Sequence, residues 1–288
     1  MGQYVDEFRG TDMLVYAEVL TDNNEVGEGY TTGTVKILAP VAEISKTVET
    51  ASDTKYYDNK PALVINGEGA DTITLTVPAL DLKTLADITG KKYDLVTGAF
   101  MDGERKPKNF ALGYRLKLTD GTYRYVWRYK GTFAIPDETS QTENAGTDSN
   151  NQQLTYTGIE TMHTFAKPNA SQKALVLDER DGKAYLENFF DTVTTCDTVT
   201  PLVPVSASVI NAAGVSMTIL RNGKPFKEYD GSRADEDDFA VYVGDALKVT
   251  FTGGTLKINN SSTATNTTYN VTSADVADGI EYVTTASA

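Results

Sequence analysis

Asp120-Gly121 separates two runs of alternating apolar and polar residues within KPKNFALGYRLKLTDGTYRYVWRYKGTF, residues 106–133. An Asp-Gly pair in this setting is a strong hairpin signal, because glycine accepts the positive φ that a tight turn demands. A two-residue loop places Thr119 opposite Thr122. It pairs Leu118 with Tyr123, Leu116 with Tyr125, Tyr114 with Trp127 and Leu112 with Tyr129. Every pair is then apolar, and a slip of one residue turns one strand's large side chains to the wrong face. The second face carries Arg115, Lys117, Arg124, Arg128 and Lys130, with Lys117 opposite Arg124. Like charges at cross-strand distance repel, so this face requires either open water or an acidic partner.

Around the hairpin, residues 1–195 read as mainly β with one or two short helices. Residues 13–20 (MLVYAEVL) have the residue types of a strand. Residues 35–38 lead into 41–50 (VAEISKTVET), where Glu43, Ser45, Thr47 and Glu49 alternate with Ala42, Ile44, Lys46 and Val48. Residues 55–63 (KYYDNKPAL) read as a turn-rich link. Residues 71–77 alternate again, with Ile73, Leu75 and Val77 inward and Thr72, Thr74 and Thr76 outward. Asp81 can cap a short helix whose Leu82, Leu85 and Ala86 share one side, and Gly90 suits the position past its end. The segment 135–153 is polar and rich in turn residues. LTYTGIETMHTF (154–165) reads as a strand and KAYLENFF (183–190) as a final short helix.

TVTTCDTVTPLVP (192–204) has two prolines and no periodicity, and marks 196–204 as a linker. Beyond it, short strands are expected at 206–210, 216–221, 239–243, 246–252, 255–259 and 268–272. Asn222-Gly223 and Gly253-Gly254 mark turns, as in a small β-sandwich spanning 205–288.

No pattern of catalysis emerges. His163 is the only histidine and falls in an expected strand; Cys196 is the only cysteine, which excludes an intrachain disulfide. There is no Gly-x-Ser-x-Gly elbow, phosphate loop or His-Glu-x-x-His pair. Asp235-Glu236-Asp237-Asp238 could hold calcium, although a bare acidic run is more commonly a solvated turn. The net charge of −14 argues against a chain that grips nucleic acid. Both parts are acidic, with 20 basic against 30 acidic residues in 1–200 and 6 against 10 in 201–288. No apolar run reaches the length of a membrane span, and the start MGQYVDEFRG lacks a basic-then-apolar leader pattern. The expectation is a chain that folds in a cytoplasm.

In order, KYYDN (55–59), DTITLTVPALDLKTLADITG (71–90), the hairpin at 106–133, a polar loop, LTYTGIET (154–161) and AYLENFF (184–190) resemble the major tail tube proteins of long, non-contractile phage tails. The resemblance covers most of residues 11–195. It implies a tail tube β-sandwich or barrel flanked by a helix. Six copies would close into a ring, and rings would stack into a hollow tube that conducts double-stranded DNA during ejection. The implied partners are further copies of the chain, the tape-measure protein, and tail terminator and distal tail proteins. DNA passes without specific binding. Neither a cofactor, a metal, a catalytic residue nor membrane binding is implied. The place is the virion tail, after assembly in the host cytoplasm. Residues 201–288, beyond where simpler members stop, resemble the extra immunoglobulin-like domain of some relatives.

On this reading the polar strand faces line the bore: Glu43, Ser45, Thr47, Glu49, Thr72, Thr74, Thr76, Thr155 and Thr157, with Ile159 beside them. The alternative is that these faces meet solvent in a monomer. The basic face of Arg115, Lys117, Arg124, Arg128 and Lys130 would then meet acidic groups of a neighbouring subunit. Two other function classes fit the composition. One is a bacterial surface or adhesion β-protein, and the other a calcium-assisted carbohydrate-binding or hydrolytic protein using Tyr123 and Tyr125 with the acidic run 235–238.

Overall fold

The computed structural model describes residues 6–24, 29–137, 151–205, 207–210, 215–221, 223–230, 241–251, 255–258, 261–263, 267–272, 274–275 and 280–285. Two compact units are present. One comprises Met1–Asp181 and Phe189–Val199, the other Gly182–Asn188 and Thr200–Ala288. Both are mainly β. The polar segment expected at 135–153 falls largely outside the described residues, as does the acidic run 235–238.

The strands of the first unit are β1 (Phe8–Asp22), β2 (Tyr30–Thr32), β3 (Lys36–Ile37), β4 (Glu43–Tyr57), β5 (Lys60–Val77), β6 (Lys92–Tyr93), β7 (Phe100–Met101), β8 (Phe110–Leu118), β9 (Tyr123–Phe133), β10 (Gln152–Ile159) and β11 (Ala174–Asp178). An antiparallel sheet runs β2-β1-β8-β9-β10-β5-β4, with β3 added to β1 and β11 to β9. Alternation sends one set of side chains from β1, β5, β8, β9 and β10 into a single core. Tyr16, Ile73, Leu75, Val77, Phe110, Leu112, Tyr114, Val126, Phe133, Leu154 and Tyr156 are all buried there. The rings of Tyr16, Phe110, Phe133 and Tyr156 contact in sequence at centroid distances of 5.2–5.7 Å. Tyr156 also donates its buried hydroxyl to the Phe110 carbonyl at 2.8 Å, so its polar tip is satisfied within the core.

The helix α1 (Leu82–Thr89) forms where its end signals stand. Asp81 accepts from the Thr84 N–H at 2.9 Å, and Gly90 closes the helix with φ 69°. Leu85, Ala86, Ile88 and Thr89 are buried, whereas Leu82 is exposed. Its two turns are held by the sheet, since a helix this short is unstable alone.

The β8–β9 hairpin departs by one residue from the expected register. Lys117 pairs with Tyr123, Leu116 with Arg124, Tyr114 with Val126 and Leu112 with Arg128. The turn explains the shift. A two-residue type I′ turn needs positive φ at both central residues, but here only Gly121 has it, at 89°. The chain uses three loop residues instead. Asp120 Oδ1 accepts from the Thr122 N–H, and the Leu118 N–H donates to the Thr122 carbonyl. Tyr123, Tyr125 and Trp127 therefore lie on the opposite face from Leu112, Tyr114 and Leu116. There Tyr125 and Trp127 pack against Phe190, and Tyr125 also packs against Phe189.

Three further expectations are corrected. Residues 55–63 are not a link but the end of a long β4–β5 hairpin, whose Asp58-Asn59 turn has φ 50° and 61°. Residues 183–190 form no helix, because 183–185 pair with 200–202: the Tyr185 N–H donates to the Thr200 carbonyl and the Leu202 N–H to the Lys183 carbonyl. The strand expected over 154–165 ends at Ile159, which leaves His163 in a bend, its Nδ1 3.2 Å from the Asn23 carbonyl.

The strands of the second unit are β12 (Pro204–Val205), β13 (Ala207–Ile210), β14 (Val215–Arg221), β15 (Lys224–Asp230), β16 (Val241–Tyr242), β17 (Ala246–Phe251), β18 (Thr255–Ile258), β19 (Ser261–Thr263), β20 (Thr267–Asn270) and β21 (Ile280–Thr285). Two four-stranded sheets run β15-β14-β17-β20 and β13-β21-β18-β19, with β13 parallel to β21. Strands β12, β15, β19 and β21 were not expected from the sequence. Met217, Ile219, Leu247 and Val249 are buried. So is a two-bonded Arg221–Asp245 pair, with the Phe226 and Tyr242 rings against the guanidinium.

Two glycines separate conformational strain from collision. Gly121 has open space around its missing Cβ, so Gly121→Ala should cost about 1–2 kcal/mol from left-handed strain alone. Gly90→Ala should cost clearly more, because its Cβ would stand 1.9 Å from the Lys106 carbonyl oxygen. Denaturant unfolding of both variants checks the order.

Candidate functional site

Sheet register brings most of the candidate bore residues together. Thr76 of β5 faces Glu43 on β4 and Gln153 on β10; Thr74 faces Ser45 and Thr155; Thr72 faces Thr47 and Thr157. Thr157 in turn faces Thr132 on β9, and Ile159 faces Lys130. Cross-strand partners share a face, so three parallel rows of small polar side chains stand on one side of β4, β5, β10 and the end of β9. At the usual strand spacing the widest row spans roughly 14 Å. The other side of β5 and β10 is the dry core of Ile73, Leu75, Val77, Leu154 and Tyr156. Glu49 sits apart from the rows, at a register shift between Val48 and Thr50, with its carboxylate over Gly69. Gln153 and Thr132 complete the surface. Period-2 reading of β9 and β10 could have found them, but the bulge in β9 between Arg128 and Gly131 hid Thr132.

The expected single basic face does not exist. Arg115 and Lys117 stand on one side of the β8–β9 hairpin and Arg124 and Arg128 on the other, a consequence of the register. Lys117 therefore faces Tyr123 rather than Arg124. The cations find carboxylates within the chain. Arg115 faces Asp12 across β1–β8 and grips it with Nε at 2.5 Å and Nη2 at 3.0 Å. Arg124 faces Asp178 across β9–β11 and grips it at 2.7 and 2.8 Å. These forked bonds are the strong geometry for guanidinium and carboxylate, and the bonds to the acids raise both arginine pKa values. Arg128 bonds Asp71 at 2.7 Å, Lys130 bonds Asp22 at 2.5 Å, and Lys117 lies 5.9 Å from the Tyr123 ring centre. Lys130, the cation on the threonine side, is thus neutralised where it stands.

Sequence reading missed the β4–β5 arm altogether. From Thr50 to Ala70 both strands are largely solvent-exposed, and Tyr56, Tyr57, Leu63, Val64 and Ile65 are each 50–66% exposed. Strand β4 also ends the sheet path, so among the described residues no strand pairs with the outer edge of its 15 residues. An edge of that length is a ready template for pairing with another chain. The signal was present in Asp58-Asn59 between aromatic and alternating residues. Pro61 masked it by reading as a breaker.

The model of the phage tail tube protein family matches residues 39–188. That match spans β4 through β11, the threonine rows and the arm. The chain belongs to the phage tail tube protein family. As a tail tube protein it is a structural component of the virion tail, where the tube is built by self-assembly with other tail proteins. No curated protein matches the chain. Among the described residues no cluster of three metal-ligating side chains occurs. Burial pushes the Cys196 thiol pKa up, and its backbone N–H donates to the Tyr129 hydroxyl at 2.9 Å.

Asp22 ties the start of the chain to the end of β10 in this tail tube protein. It takes the Lys130 ammonium and the N–H groups of Met162 and His163, the last two at 2.9 Å. Burial alone would raise its pKa, but these bonds outweigh burial and hold it below the ordinary 3.8. A depressed folded-state value adds stability that is complete above the unfolded value and is lost as pH falls through the folded one. The first unit should therefore hold its midpoint on acidification until pH drops below the ordinary carboxylate range. Asp22→Asn should be less stable at neutral pH and lose less on further acidification. Thermal unfolding as a function of pH checks both.

Proposed function

We propose that six copies of this tail tube protein close into a ring with the threonine rows facing the bore, and that rings stack into a conduit for double-stranded DNA. The observation that carries this reading is the alignment of Thr47, Thr72, Thr74, Thr76, Thr132, Thr155 and Thr157 on one face, where Lys130 is already bonded to Asp22. Duplex DNA adheres to proteins by releasing counterions to lysine and arginine. A wall of hydroxyls with Glu43 near it offers no such exchange, and the net charge of −14 per copy repels the phosphates at longer range.

The free edge of β4 closes the ring by pairing with a neighbouring copy. The arm from Thr50 to Ala70 buries its apolar tip against another copy. Tape-measure, terminator and distal tail proteins are the other partners, and assembly takes place in the host cytoplasm. Residues 205–288 act as an immunoglobulin-like decoration domain that tube formation does not require. The non-contractile tail type is part of the same proposal.

Negative-stain microscopy of the purified protein should show rings or tubes; a chain that stays monomeric at every concentration overturns the reading. Leu63→Asp combined with Ile65→Asp should leave the monomer folded by circular dichroism and abolish tubes. Thr74→Lys with Thr155→Lys should leave tailed particles intact but lower infectivity about tenfold or more, because each new cation on the wall meets phosphate. Truncation after Thr200 should still give tubes.

A further inference from the structure

A cavity of about 580 Å3 opens on the side of the sheet away from the threonine rows, where β9 changes partner from β11 to β10. Three cations converge on one buried carboxylate in its wall. Arg128 Nη1 lies 2.7 Å, Lys46 Nζ 3.5 Å and Lys173 Nζ 3.8 Å from Asp71. Asp71 is 3% exposed and Arg128 8%. Donors here far exceed acceptors. Arg128 donates one hydrogen bond from its five N–H groups, and its buried Nε has no acceptor among the described residues. Lys173 donates to the Gly69 carbonyl and lies 3.8 Å from Glu68, and among the described residues the Lys46 ammonium makes only the long contact to Asp71. Of the other two acids in the lining, Glu68 lies 3.8 Å from Lys173 Nζ with its side chain 75% exposed, and Glu160 is exposed and accepts from the Ser171 hydroxyl. Asp71 is the one buried carboxylate among these three cations, and the other acid near them, Glu68, is largely in solvent.

A guanidinium with most of its donors unengaged, beside two ammonium groups, favours further oxygen ligands. We infer that this cavity is an oxyanion site, taking a phosphate or a carboxylate between Lys46, Lys173 and Arg128. Two sources supply that chemistry: free phosphate, or an acidic side chain of a second copy entering past the base of the arm. The second source rests on the assembly reading above, whereas binding of phosphate by the unassembled chain does not.

The test uses the full chain, held unassembled at low concentration, with sodium phosphate added against sodium chloride at equal ionic strength. Phosphate should raise the unfolding midpoint of the first unit saturably, by roughly 2–4 °C. Lys46→Met with Lys173→Met, which keeps the Arg128–Asp71 bond, should abolish that rise, and Lys46→Arg with Lys173→Arg should retain it. Equal effects of phosphate and chloride, or a phosphate-specific rise that survives the methionine pair, overturn the site. A sedimentation assay of assembly then identifies the source. Inhibition of assembly by phosphate, with weaker assembly of the methionine variant, identifies the carboxylate of a second copy. Unchanged assembly identifies the free anion.

Discussion

Two-sided alternation in β5 and β10 is the constraint on which this molecule rests. Ile73, Leu75, Val77, Leu154 and Tyr156 are at or near zero exposure, and the intervening threonines stand on the opposite face in register. The dry face fixes the register. Sliding either strand by one residue would bury hydroxyls and expose the core, with a loss of about 1.5–3 kcal/mol for each large side chain brought out. The wet face inherits its order from that penalty. Rows of threonine need no attraction of their own to stay aligned, so their surface is free to be chosen for what it must not bind.

Electrostatics in the first unit follows the same economy. Arg115, Arg124, Arg128 and Lys130 are each held by an aspartate of another strand: Asp12, Asp178, Asp71 and Asp22. Two of these are direct cross-strand pairs, so strand pairing itself positions the charges. Exposed ion pairs contribute little to stability, but here they have a second effect. In a chain with more acid than base, these four of the five hairpin cations are compensated internally. The Lys46–Lys173–Arg128 cluster is the exception, since there one buried carboxylate serves three cations.

The fold class, the capped helix and the polar rows were legible because each depends on local pattern. Asp81 and Gly90 are position-specific signals, and Thr72, Thr74 and Thr76 alternate without interruption. What escaped depends on conformation that sequence encodes weakly. Asp120-Gly121 announced a hairpin but not its loop length, and one extra loop residue moved Tyr123, Tyr125 and Trp127 to the other face. The basic face failed with that register, since its five members were placed by parity alone. Residues 183–190 have helical composition, yet their backbone groups pair with 200–202. A distant partner outweighed a weak local preference.

The arm shows how a locally poor structure can make assembly sense. A two-stranded ribbon without a hydrophobic face on a core is at best marginal in water. Beyond Asp71 towards the tip, the β4–β5 pair has no third strand among the described residues, since β10 pairs with β5 from Asp71 to Val77. What keeps the ribbon in being is its I′ turn at Asp58-Asn59 and its anchorage at the base, where Lys46 and Arg128 hold Asp71 and Lys173 holds the Gly69 carbonyl. Each half-exposed side chain among Tyr56, Tyr57, Leu63, Val64 and Ile65 retains on the order of 1 kcal/mol of unrealised burial. Among the described residues a single copy has nothing with which to realise it, whereas in the proposed assembly a neighbouring copy would. The gain from covering that tip is collected only on contact, after a fixed base has already aimed the ribbon. Anchoring an exposed apolar tip rigidly at one end lowers the ordering cost of association, so self-recognition is favoured over indiscriminate aggregation of a limp hydrophobic loop.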